Sequence, residues 1–157
     1  MKRKSGFTLI EFLVVIAITS VLVTVSGSSY FGLRSRVAFE NQISEIAADL
    51  KWTMSRSLAQ ESNDQWGVRF SNPSGGAGYY EIWHGTSYAS GTVVGRTDLH
   101  GSVAFSDPVT GATKDIVFLK STGLPMSSAS LVLYSTGSGA TGTIDVNSQG
   151  RVDYTFD

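Results

Sequence analysis

Apolar side chains fall in three regimes along the chain, and each regime predicts a different element. From Phe7 to Val25 there are nineteen residues whose only charge is Glu11. At about 1.5 Å per residue, a helix of that length covers roughly 28 Å, close to one hydrocarbon core. From about Tyr30 to Gln60 the pattern turns amphipathic. Phe39, Ile43, Ile46, Leu50, Met54 and Leu58 recur every three or four residues, while Glu40, Glu45, Asp49, Lys51 and Arg56 fall mostly on other faces. No proline intervenes, so the two regimes predict one long rod, soft or bent where Ser26-Gly27-Ser28-Ser29 lowers helix propensity.

Beyond Asn63 lie fourteen of the seventeen glycines and all three prolines, and the helical period disappears. Eight short β-rich runs take its place: Gln65–Ser71, Tyr79–His84, Thr92–Arg96, Ser102–Ser106, Asp115–Leu119, Ser130–Ser135, Thr143–Val146 and Arg151–Phe156. Six or seven strands are expected from these eight. The last two read as a hairpin through Asn147-Ser148-Gln149-Gly150, with Gly150 supplying a positive φ. No helical pattern separates the strands, which favours an antiparallel sheet over βαβ units. The expected class is α+β: a long N-terminal helix, membrane half then amphipathic half, packed on an antiparallel β-sheet or β-sandwich head.

Charge and composition narrow this further. The formal charge is −1, but Lys2, Arg3 and Lys4 all precede the apolar run and no basic residue lies between that run and Arg34. That asymmetry favours a cytoplasmic N-terminus and an external C-terminal domain. Without residues 1–6 the chain has nine basic and thirteen acidic side chains, a formal −4, which argues against a general nucleic-acid surface. With no cysteine there is neither a disulfide framework nor a thiolate metal site.

Candidate chemistry in the β-rich part gives way to local structural readings. Gly137-Ser138-Gly139-Ala140-Thr141-Gly142 has dinucleotide-loop spacing but runs into a strand, whereas a pyrophosphate needs a helix N-terminus. Asp145, Asn147, Gln149 and Gly150 open like a calcium loop, yet Phe156 stands where the bidentate glutamate belongs. His84 and His100 have no helical spacing partner for zinc, and no Gly-x-Ser-x-Gly elbow exists. Trp52, Trp66, Trp83 and the tyrosines read as packing residues, because a stacking platform for single strands needs a positive groove. No enzyme, cofactor or metal is expected.

Glu11 remains the anomaly, since an ionisable group within a membrane span costs roughly 2–4 kcal/mol and is kept for a partner or a function. Lys2-Arg3-Lys4-Ser5-Gly6 followed by Phe7-Thr8-Leu9-Ile10-Glu11 resembles the leader and cleavage motif of type IV prepilins and type II secretion pseudopilins. The resemblance implies that a prepilin peptidase cuts after Gly6 and methylates the new amino terminus at Phe7, with Glu11 the fifth mature residue. Residues 1–6 would then be leader, 7–30 the transmembrane and filament-core helix, and 31–157 a soluble head, with helix to residue 60 and β structure from 63. The amino group of Phe7 on a neighbouring subunit is the natural partner of Glu11. An ordinary secretory signal cut near Val25-Ser26-Gly27 leaves both the length of the run and its carboxylate unexplained.

Beyond the leader, the helix end at Ser57–Gln60 and three later segments resemble the GspH/FimT group of minor pilins and pseudopilins. Those segments are Trp66-Gly67-Val68-Arg69-Phe70, Val117–Gly123, and Ile144-Asp145-Val146 with Gly150-Arg151-Val152. The likeness implies insertion in the inner membrane, assembly with other subunits at an inner-membrane platform, and a place in or near the tip of a pilus or pseudopilus. Some members of that group bind DNA through C-terminal basic residues. The counterpart here is Arg151 alone, flanked by Asp145, Asp153 and Asp157. A DNA-binding subunit of an uptake apparatus and a simple membrane-anchored exported binding domain are the alternative readings.

Overall fold

The computed structural model describes residues 8–157, the side chains of 24–31 excepted. Helix α1 (Leu9–Leu58) is the single rod expected, fifty residues long. Among the described residues nothing covers the start of its first half: every side chain from 8 to 23 is exposed, Leu9 at 82 % and even Val14 at 48 %. Among the described residues no helix is long and apolar enough to cross a membrane. The nineteen-residue run of the sequence starts at Phe7 and ends at Val25, beyond the described side chains at both ends.

The second half of α1 packs on the head. Phe39, Ile43, Ile46 and Leu50 are buried as their spacing predicts, and Met54 is half-buried against them. Leu58 departs from the expectation and is 54 % exposed, while Ser57 is buried in its place. The last turn lies against main chain rather than side chains. Ser57 Oγ donates to the carbonyl of Phe118 at 2.8 Å, and its own carbonyl accepts from Ser121 N–H at 3.2 Å. A hydroxyl satisfies that contact where a leucine would bury a polar group unpaired. After Ala59 the chain turns sharply, with positive φ at Gln60, Ser62 and Asn63 around the short 3-10 turn Glu61–Asn63.

All eight strand candidates form, one or two more than expected: β1 (Trp66–Asn72), β2 (Tyr79–His84), β3 (Thr92–Asp98), β4 (Val103–Asp107), β5 (Ala112–Phe118), β6 (Ala129–Ser135), β7 (Thr141–Val146) and β8 (Val152–Phe156). Among the eight, β3 is exposed almost throughout and so shows no inward–outward alternation of its own. Its ladder with β2 holds it instead. Two four-stranded antiparallel sheets result, ordered β3-β2-β1-β5 and β4-β6-β7-β8. One core joins both sheets to α1, with Phe70 of the first sheet edge-on to Phe105 of the second at 6.0 Å.

Tyr80 closes the core toward the helix, where it is fully buried and its hydroxyl donates to Asp49 Oδ2 at 2.6 Å. Burial first, and the Asp49 bond second, push its phenol above the ordinary 10.0. A phenol held neutral in the fold stabilises fully below the unfolded value of 10.0, and that contribution is lost as pH climbs above it. Tyr80→Phe is expected to cost about 1–3 kcal/mol at neutral pH, because Asp49 loses its partner. The variant should then lose less additional stability than the native chain above pH 10. Urea denaturation near neutrality and above pH 10 checks both parts, and identical pH slopes in the two proteins would remove the phenol from the account.

Candidate assembly site at the helix N-terminus

A helix start leaves four backbone N–H groups without intrahelical partners. Here Thr8 and Glu11 answer that need reciprocally. Thr8 is the N-cap, in extended conformation, and its Oγ1 accepts from Glu11 N–H at 3.3 Å. Glu11 Oε2 in turn accepts from Thr8 N–H and from Thr8 Oγ1, both at 2.8 Å. A carboxylate in the first turn also faces the positive end of the helix dipole. Glu11, whose expected partner is another subunit, therefore already has one within its own chain. The arrangement also folds the carboxylate back toward the backbone N–H of Thr8, the residue that follows Phe7. Thr8 carries this function without having been singled out from the sequence, although Thr-x-x-Glu ahead of an apolar run is a capping-box signature. Gly6 and Phe7, the expected cleavage and methylation positions, lie outside the described residues.

Arg151 sits in the β7–β8 connection with its side chain 73 % exposed, and its Nε lies 2.7 Å from Asp153 Oδ2. Asp145 is the cross-strand neighbour of Asp153, so this cation stands beside two carboxylates. The other paired cations of the head follow the same rule: Arg36, Arg56, Arg69, Arg96 and Lys114 meet Glu40, Glu61, Asp115, Asp98 and Asp107.

The remaining candidates resolve into turns and packing. Residues 136–140 link β6 to β7 as a tight loop, with Ser135 N–H on the carbonyl of Ala140. Gly142 has a packing duty: a Cβ there would lie 2.4 Å from Ile43 Cδ1 and 3.2 Å from Phe39 Cζ. Asn147 Oδ1 accepts from the N–H groups of Gln149 and Arg151, each at 2.9 Å, and Gly150 has φ 81°, so the calcium-like spacing is a hairpin turn. His84 lies against Trp66 and 3.1 Å from Asp64, while His100 Nδ1 meets Ser102 Oγ at 2.9 Å. Trp66 and Trp83 are buried, and the guanidinium of Arg56 covers the partly exposed Trp52 at 3.9 Å.

Residues 1–27 match the family model described as the prokaryotic N-terminal methylation motif. That match supports a type IV pilin or pseudopilin, a structural and non-enzymatic kind of protein. Such a motif implies processing by prepilin peptidase, assembly with other pilin subunits, and membrane anchoring before filament association. No curated protein and no solved structure matches the chain.

Proposed function

We propose that this chain is a minor pilin or pseudopilin of the GspH/FimT type, cut after Gly6, N-methylated at Phe7 and assembled into a type IV pilus or type II secretion pseudopilus, near its tip. The observation that carries the reading is the first half of α1. Its large apolar side chains from Leu9 to Val23 are exposed on every face, with nothing among the described residues covering them, so it needs a lipid bilayer or a bundle of like helices. Residues 7–30 take that role, first in the inner membrane with the basic tip in the cytoplasm and the head outside, then in the filament core. The methylation motif at the same end supplies the route by which the helix leaves the bilayer. The head, built without cysteine on a core shared by helix and two sheets, is the exported part.

Processing gives the direct test. Intact mass and N-terminal fragmentation of the membrane-extracted chain should show N-methylphenylalanine from Phe7 as the first residue. Gly6→Leu should leave residues 1–6 attached and keep the chain in the membrane, out of sheared filaments. A mature terminus near Ser28 would instead mark an ordinary secretory signal and overturn the reading.

A further inference from the structure

We draw no further inference here: the strongest candidate, the exposed apolar patch of Leu58, Leu119 and Leu124 where the last turn of α1 meets the turn after β5, carries nothing, because nothing in the structure shows what covers it.

Discussion

Glu11→Val is expected to leave cleavage after Gly6 intact and to reduce the share of the chain in sheared filaments by about two to three orders of magnitude, since breaking a buried charge pair costs roughly 3–5 kcal/mol. The reason lies in what happens when the apolar half-helix enters a bundle. Its carboxylate loses water, and the amino terminus of Phe7 on a neighbouring subunit is the charge that can meet it. A subunit at the wrong axial offset would leave both charges buried and unpaired. The capping box found at Thr8 complicates a single valine variant, because Glu11 also holds the first turn. Glu11→Gln separates the two roles. Glutamine keeps the capping geometry and loses the charge, so an incorporation defect as large as that of valine assigns the effect to charge. Near-normal incorporation of the glutamine variant would leave the cap as the whole role, and normal incorporation of the valine variant would remove Glu11 from assembly. Immunoblots of sheared filaments against the membrane pool read all three outcomes.

Phe70→Ala should destabilise the head by about 3–5 kcal/mol, the usual range for emptying a large buried aromatic site. Phe70 is fully buried, lies 5.7 Å from the Tyr80 ring, and reaches Phe105 across the gap between the sheets. Both neighbours are anchored, Tyr80 by its bond to Asp49 and Phe105 by strand pairing with Leu133, so the cavity cannot collapse cheaply. A domain of this size is held by about 5–15 kcal/mol in total, and no disulfide adds to it. Urea midpoints of the full chain measure the loss, and rapid proteolysis of the variant head should accompany it. Phe70→Leu, which refills most of the volume, should cost about 1 kcal/mol. Equal losses for the two variants would mean that volume at this site is not what holds the sheets together.

The long helix, the antiparallel β head and the hairpin at Gly150 were all legible in the sequence, because each depends on residues within a few positions of one another. A 3.6-residue period marks Phe39, Ile43, Ile46 and Leu50 as one buried face without knowledge of what covers it. Leu58 shows where that reasoning stops. It has the right spacing, but its last turn meets the carbonyl of Phe118, sixty residues away, and that contact calls for Ser57. β3 shows the same limit: exposed almost throughout, it owes its form to pairing with β2 rather than to its own pattern.

At the N-terminus the sequence by itself determined the methylation motif, the apolar run and the place of Glu11 within it, since each is written in one short contiguous segment. Even the capping box was written there as Thr-x-x-Glu. Tertiary structure alone decided the rest of the surface chemistry. Pairing register sends every second residue of a strand to the opposite face, so only the alignment of Gly67 with Trp83 lays an indole across a glycine. The sequence shows Arg151 flanked by carboxylates, and strand pairing then sets Asp145 across from Asp153, the partner that Arg151 meets. Charge, burial and hydrogen-bond satisfaction are settled between residues far apart in the chain, and they exist only once the sheets have closed on the helix.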